Sequence, residues 1–166
     1  MGGNDLLKVI AVTGAVSLVA SLAGQTSTGQ QAVPVAVGPD GELYVSLLTG
    51  YPFPNGGAKV VGSTVTDFAT GLTLLTDIKV GPNSQIYALS LGKSDITLTP
   101  PYVPNSGSVV RLKADGSKQV VLDELNFPLV LAFNAGGDAF INKNGLGAPG
   151  SGQILKYPKL TQYAAK

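Results

Sequence analysis

Oxygen-bearing side chains at repeated positions are the residues in this chain that could do chemistry. Asp40 and Asn83 stand at matching places in two similar stretches, and Asp138 lies two positions further along in a third. Carboxylate and amide oxygens bind hard cations such as calcium when several of them converge. Asp and Asn also favour tight turns, because their side chains accept hydrogen bonds from the nearby backbone. The turn interpretation is favoured for all three positions.

A second candidate set consists of Asp77 and Asn126, which we expect just before the first strand of two successive repeats. A divalent cation held there would support a metal-dependent, lactonase-like hydrolase. The alternative is that both side chains cap the backbone at the strand entry, and it is favoured because so few carboxylates are available. Asn142 and Asn144 follow a strand of the third repeat and are candidate ligand-binding residues, with a solvated loop as the alternative.

Aromatic residues in two proline-rich loops form a third candidate set. Tyr51 and Phe53 lie in the loop 49–57, and Tyr102 lies in the loop 93–107. Aromatic side chains on stiff loops can form a binding surface above a rigid scaffold. The alternative is that Tyr51 and Phe53 fold back over the edge of a sheet. The two loops together are the best candidate ligand surface.

Composition excludes several classes of function. The 166 residues include no His, no Cys and no Trp, so triads that use His as the base are excluded. The 11 basic and 10 acidic residues leave no charge imbalance that would attract nucleic acid. The apolar run 9–23 is too short for a membrane span. We therefore predict a non-catalytic binding or scaffold module without a cofactor, whose ligand is unknown; the hydrolase, with a divalent cation such as calcium, is the alternative.

A strand–turn–strand unit recurs three times, at 35–46, 79–88 and 132–141. The first copy turns at Gly38-Pro39-Asp40-Gly41, where proline suits the second position of a type I turn and glycine the fourth. Apolar and polar residues alternate on both sides of the turn, which is the signature of a hairpin. Successive copies stand 43 and 53 residues apart. Repeats of roughly 40 to 50 residues built from short strands are typical of propeller blades.

The sequence predicts an all-β, β-propeller-type array of about three four-stranded blades, which is half of a six-bladed ring. We expect blades at 32–72, 74–125 and 126–157, the last without its fourth strand, and a tail at 158–166. Residues 1–24 are interpreted as strands of a preceding blade, because they contain many β-branched residues. A signal peptide is the alternative for this segment.

Several stretches resemble the ScyD/ScyE family of secreted β-propeller proteins, first associated with biosynthesis of the pigment scytonemin. The similar stretches are VAVGPDGELYVSLLTGYPFPNGGAKV at 35–60, LNFP at 125–128 with the hairpin after it, and GSGQILKY at 150–157. The LTGYPFP loop is the most specific part. The resemblance implies a ring about twice this length, of which the chain would be the C-terminal half, and an extracellular or periplasmic location.

The chain departs from the family pattern at three places. The usual turn after Val61 is missing, Asn83-Ser84 replaces the usual Asp-Gly, and Leu129 stands where a small residue or Thr is usual. These departures affect the predicted blade edges.

The predicted ends of the array complement each other, since the start supplies a surplus strand and the last blade lacks one. Unpaired strand edges promote association. The expected partner is therefore a second copy in a homodimer or the missing half of a longer propeller. A self-associating structural protein that closes a ring from two half-propellers is the third functional hypothesis.

Overall fold

The computed structural model describes residues 5–22, 31–48, 56–62 and 64–166, and this part of the chain is all-β. Its strands form four antiparallel sheets. A short 3-10 turn, Leu160–Gln162, is the one helical element among these residues. The strands are β1 (Asp5–Val9), β2 (Val16–Ser21), β3 (Gln31–Val37), β4 (Leu43–Leu48), β5 (Gly56–Val61), β6 (Val65–Leu72), β7 (Leu75–Val80), β8 (Ile86–Ser90), β9 (Gly107–Leu112), β10 (Lys118–Leu125), β11 (Leu131–Phe133), β12 (Ala139–Lys143) and β13 (Gln153–Tyr157).

The four sheets follow one another along the chain, and each strand pairs only with its neighbours in sequence. Sheet I contains β1 and β2, sheet II contains β3 to β6, sheet III contains β7 to β10, and sheet IV contains β11 to β13. The hairpins predicted at 35–46, 79–88 and 132–141 are confirmed as the pairs β3–β4, β7–β8 and β11–β12. Residues 5–9 and 16–21, in the segment with two interpretations, are paired strands.

The sheets pack face to face in chain order, and an apolar core fills each of the three interfaces. Leu22 and Val45 belong to the core between sheets I and II. Ile78 and Ala88 belong to the core between sheets II and III. Tyr87 belongs to the core between sheets III and IV. Sheet III is therefore covered on both faces, which explains why every residue of β8 is buried.

Four hairpin turns at one end of the sheets share a single hydrogen-bond pattern. In the first, the Gly38 N–H donates to the Glu42 carbonyl at 2.7 Å and the Gly41 N–H donates to the Gly38 carbonyl at 3.0 Å. The same two bonds recur in the turns that begin at Gly81, Lys113 and Asn134. The fourth turn residue has a positive φ, +85° at Gly41 and +58° at Ser84. Ser84 adopts a conformation that favours glycine.

Asp77 joins sheet III to sheet IV. It lies inside β7, with its side chain almost fully buried, and not before the strand as predicted. Its carboxylate accepts hydrogen bonds from the N–H groups of Leu131 and Ile78, both at 2.9 Å, and pairs with the Lys79 ammonium at 3.0 Å. Because Leu131 is the first residue of β11, this carboxylate fixes β11, an edge strand of sheet IV, against sheet III.

The segment after β13 packs against sheet III. Leu160 is fully buried, and the Arg111 guanidinium donates hydrogen bonds to the carbonyls of Thr161 at 3.3 Å and Tyr163 at 2.8 Å. The Lys166 N–H donates to the Val120 carbonyl at 2.9 Å. The tail therefore covers apolar surface beside sheet IV, in which β13 has no further strand on its outer side.

Replacing Asp77 with Ala should lower the free energy of unfolding by about 3 kcal/mol, because the buried Leu131 N–H loses its acceptor. Lys79→Gln is the matched control: it removes only the half-exposed ion pair and should cost less than about 1 kcal/mol. Chemical denaturation of both variants measures the difference. Equal losses would mean that the ion pair, and not the bond between sheets, is the important contact.

Two substitutions at matching turn positions should change stability in opposite directions. Ser84→Gly removes strain from a positive φ and should stabilise the protein by roughly 0.5–1 kcal/mol. Gly41→Ser introduces that strain where the new Cβ would meet no atom within 4 Å, and it should destabilise by about 1 kcal/mol. Thermal unfolding compares the two variants with the parent. A stabilising Gly41→Ser would contradict the assignment of strain to these positions.

Candidate functional site

An open cavity of about 370 Å³ lies between sheets II and III, at the end of the sheets that carries the hairpin turns. This volume falls in the range of about 300–1,000 Å³ that is usual for small-molecule sites. Its inner wall is apolar and its rim is exposed and mostly polar. The wall consists of Tyr44, Phe68, Ile86 and Leu112, and the rim of Pro39, Asp40, Ser84, Gln85, Lys113 and Ala114.

Two aromatic rings make one side of the apolar wall. The Tyr44 and Phe68 ring centroids lie 4.7 Å apart with an interplanar angle of 71°, an edge-to-face arrangement. The Tyr44 ring packs over Gly38, at which a Cβ would overlap the ring. Glycine at this turn position is therefore required by the aromatic packing, and it lets the ring lie flat at the base of the turn.

The Tyr44 hydroxyl donates a hydrogen bond of 2.6 Å to one carboxylate oxygen of Asp40, and the Glu42 N–H donates to the other at 3.1 Å. The Tyr44 hydrogen bond is the main reason that the pKa of Asp40 lies below its usual value. Burial, followed by the hydrogen bond to Asp40, raises the pKa of Tyr44 to about 12. At neutral pH the pair is therefore an ionised carboxylate and a protonated phenol, and it makes a fixed polar edge to the cavity.

Lys113 stands on the side of the rim that sheet III contributes. Its side chain is exposed, and it forms no ion pair within the described ranges. Its charge makes a small contribution to the lowered pKa of Asp115, which is due mainly to the hydrogen bond between Asp115 and Ser117. Lys113 thus places an exposed basic residue on the rim of the cavity.

The repeated Asp and Asn side chains act in turn geometry. Asn83 contacts the tyrosine four positions later as Asp40 does, but with the hydrogen bond reversed, because the Asn83 amide donates to the Tyr87 hydroxyl at 3.0 Å. In the third repeat the corresponding residues are Gly136 and Phe140, so both the hydroxyl and its partner are missing. The polar turn residue therefore accompanies a tyrosine four positions later. This i, i+4 pairing was present in the sequence and could have revealed the polar edge of the cavity.

Asp138 has a different set of partners. Its carboxylate pairs with the Lys156 ammonium at 2.8 Å and accepts a hydrogen bond from the Lys159 N–H at 2.9 Å. The Asn134 amide donates to it at 3.2 Å. These contacts, Lys156 first, lower the pKa of Asp138 from its usual 3.8 to about 2. The carboxylate thus attaches the tail to the last hairpin.

The aromatic loop surface predicted from the sequence is only partly described. Tyr51 and Phe53, with most of the loop 49–57, lie outside the described residues. Tyr102 is half-buried and forms an isolated β-bridge with Ser94, and its N–H donates to the Pro100 carbonyl at 2.8 Å. The loop 93–107 therefore folds back on itself around Tyr102. The joint ligand surface of the two loops stays a prediction.

The candidate asparagines organise loops at the end of the sheets opposite to the hairpin turns. The Asn126 amide donates to the Asn144 side-chain oxygen at 2.7 Å, and the Asn144 amide donates to the Ser151 carbonyl at 3.1 Å. The Asn142 side-chain oxygen accepts from the N–H groups of Leu129 and Val130 at 2.7 and 2.6 Å. Asn126 and Asn144 thus meet directly, while Asn142 binds backbone.

Asp77 and Asn126, the two residues predicted to share a cation, bind different partners. Asp77 holds β11, and Asn126 holds Asn144 and accepts a hydrogen bond from the Asn105 N–H at 3.1 Å. Asp77 therefore serves the packing of two sheets and Asn126 serves a loop junction. In the described part of the chain, no group of three or more His, Cys, Asp or Glu side chains is arranged to hold a metal ion. None of the helices within the described ranges has the length and apolar character needed to cross a membrane.

The low pKa of Asp138 predicts an acid-sensitive contribution to stability. Because the folded pKa lies below the unfolded value, the contribution is present above about pH 4 and is lost as the pH falls towards 2. Lys156→Gln should shift the NMR-detected Asp138 titration to higher pH and flatten this part of the stability profile. Lys159→Gln, which keeps the backbone donor, should change it less. Identical titrations in both variants would contradict the dominant role of Lys156.

No protein-family model matches the chain, and a search of curated proteins found no significant match.

Proposed function

We propose that this chain is a non-catalytic binding module of a ScyD/ScyE-like β-propeller protein located outside the cytoplasm, and that it binds a small apolar or aromatic anion between sheets II and III. The observation that carries the proposal is the cavity of about 370 Å³, with its buried apolar wall and polar rim. The location outside the cytoplasm rests on the family resemblance alone and stays a prediction.

The propeller part of the proposal is supported by the way the sheets are built. Each strand pairs with its sequence neighbours, sheets II and III have four strands, and successive sheets pack face to face. Propeller blades are four-stranded sheets repeated in this manner around a channel. The repeated hairpin turns give the same end of each sheet a similar shape.

The apolar wall supports a ligand with a ring or a short hydrocarbon part. Ile86 and Leu112 are almost fully buried, and the Tyr44 and Phe68 rings are fixed by their edge-to-face contact. A ring placed against these side chains would displace water from the apolar surface that they leave open to the cavity, which favours binding.

The rim supports an anionic group on that ligand. Both carboxylate oxygens of Asp40 already accept hydrogen bonds, one from the Tyr44 hydroxyl and one from the Glu42 N–H, so Asp40 does not need a hydrogen bond from the ligand. Lys113 supplies a positive charge that no other described side chain neutralises in an ion pair. The anion is therefore placed beside Lys113, with the apolar part of the ligand directed towards Tyr44.

The pKa values at the cavity support binding and not catalysis. A general acid or base works best when its pKa lies near the operating pH. Tyr44, at about 12, and Asp40, below its usual value, lie far from neutral pH on opposite sides. The hydrolase alternative gains no support, because Asp77 and Asn126 are engaged separately.

Titration with phenylacetate, followed by methyl NMR, should shift the resonances of Ile86 and Leu112 as the ring enters the cavity. Lys113→Gln should weaken this binding about fivefold, which corresponds to one partly exposed ion pair. Lys93→Gln, an exposed lysine outside the cavity lining, is the control and should leave it unchanged. Phenethylamine, which carries the opposite charge, should bind more weakly than phenylacetate. Shifts absent from both methyl groups, or equal effects of the two lysine variants, would contradict the proposal.

A further inference from the structure

A second open cavity, of about 190 Å³, lies between sheets II and III at the end opposite to the hairpin turns. It shares no lining residue with the cavity beside Tyr44. Its base is the edge of the apolar core between the two sheets, where Leu72, Val110 and Val120 line it. Four hydroxyl-bearing residues complete the lining, so the chemistry of this cavity differs from that of the first.

The register of sheet III places two of these hydroxyl-bearing residues side by side. Ser90 and Ser108 are paired across β8 and β9. On their strands they alternate with the face of Ala88 and Val110, which pack in the core towards sheet II, so both serine side chains lie on that same face. Ser90 is only 6% exposed. A polar pair therefore ends the otherwise apolar face of sheet III.

Three of the hydroxyl groups donate their protons to backbone carbonyls. The Ser90 hydroxyl donates to the Thr73 carbonyl at 2.8 Å, and the Thr73 hydroxyl donates to the Gly92 carbonyl at 3.2 Å. The Ser106 hydroxyl donates to the Val103 carbonyl at 2.7 Å. A hydroxyl has one proton and two lone pairs. These three groups can therefore offer a ligand only lone pairs, as hydrogen-bond acceptors.

Ser108 is the fourth hydroxyl-bearing residue, and no described residue forms a hydrogen bond with its hydroxyl. This group can donate to a ligand or accept from it. Lys93, which is exposed, also lines the cavity, whereas no acidic residue is among the described residues of its lining. The cavity therefore combines an excess of acceptors with a basic residue, which disfavours a cation.

We propose that this cavity binds a small neutral ligand with several hydroxyl groups, such as a cyclitol or a single sugar unit. The ligand hydroxyls donate to the lone pairs of Thr73, Ser90 and Ser106, and a further ligand hydroxyl bonds with Ser108. The ring C–H groups lie against the apolar base.

An anion suits the cavity less well, because it needs several donors and three of the four hydroxyl protons are already given to carbonyls. The volume of about 190 Å³ is below the range of about 300–1,000 Å³ that is usual for small-molecule sites, so the ligand is limited to about one ring. The proposal does not rest on the cavity beside Tyr44 or on the family resemblance.

Two ligands with the same six-membered carbon ring test the site on the unmodified chain. Titration with myo-inositol, which has six hydroxyl groups, should shift the backbone amide resonances of Gly92 and Ser108 in NMR spectra. Cyclohexanol, which has one hydroxyl group, should bind at least about tenfold more weakly, because it leaves most of the acceptors without a donor. Absence of shifts with myo-inositol, or equal affinity for the two ligands, would overturn the proposal.

Substitution of Ser108 tests the same site without removing a hydrogen bond between described residues. Ser108→Ala should weaken myo-inositol binding about fivefold, as the loss of one hydrogen bond predicts. Ser108→Val, whose larger side chain fills part of the cavity, should weaken it further. Ser17→Ala, at an exposed serine of β2 in sheet I, is the control and should leave binding unchanged. Circular dichroism checks that the three variants stay folded.

Unchanged affinity in Ser108→Ala, or an equal loss in Ser17→Ala, would contradict the site. Inorganic phosphate distinguishes the remaining ligand class. We expect phosphate to bind more weakly than myo-inositol, and Lys93→Gln to change myo-inositol binding less than twofold. Tighter binding of phosphate that Lys93→Gln abolishes would overturn the proposal in favour of an anion site.

Discussion

The central constraint on this fold is that an apolar sheet must be covered on both faces. Sheet III satisfies it completely, with sheet II on one side and sheet IV on the other. The consequence is visible in β8, in which all five residues are buried and the alternation of apolar and polar residues disappears. The two ends of the stack meet the constraint only in part: sheet IV carries the charged Lys156, and most residues of β1 and β2 in sheet I are exposed.

The repeated turns form a constant scaffold, and the gaps between the sheets provide sites that differ from one another. The backbone hydrogen bonds of the turns are repeated four times, so they supply a constant framework. The side chains that face the gap between two sheets differ from one repeat to the next. Between sheets II and III they leave a cavity, whereas between sheets III and IV Arg111 binds the tail through the carbonyls of Thr161 and Tyr163. The same type of turn therefore borders an open cavity between sheets II and III, and a gap bridged by Arg111 and the tail between sheets III and IV.

Local features of the fold could be predicted from the sequence, because they depend on contacts between neighbours in the chain. The hairpin at 35–46 is specified by its turn residues and its alternating strands, and it forms as expected. The Tyr44 ring, on the second strand of this hairpin, is buried. Its hydroxyl partner, Asp40, lies only four residues away, and the turn interpretation of Asp40 is confirmed by the hydrogen bond that it accepts from the Glu42 N–H.

Features that depend on packing between sheets could not be predicted in this way. The acceptor for the Leu131 N–H is Asp77, 54 residues earlier, and no local pattern connects the two. The cavity likewise needs Phe68 and Leu112 to arrive beside Tyr44 from different sheets.

Because every strand pairs with a neighbour in sequence, each sheet can form from a short continuous segment, and only the stacking of sheets requires distant parts of the chain to meet. Such an architecture resembles a one-dimensional array, in which stability is approximately a sum over units and their nearest-neighbour interfaces. Duplication or loss of one unit during evolution would change the length of the array while leaving the pairing within every remaining sheet intact.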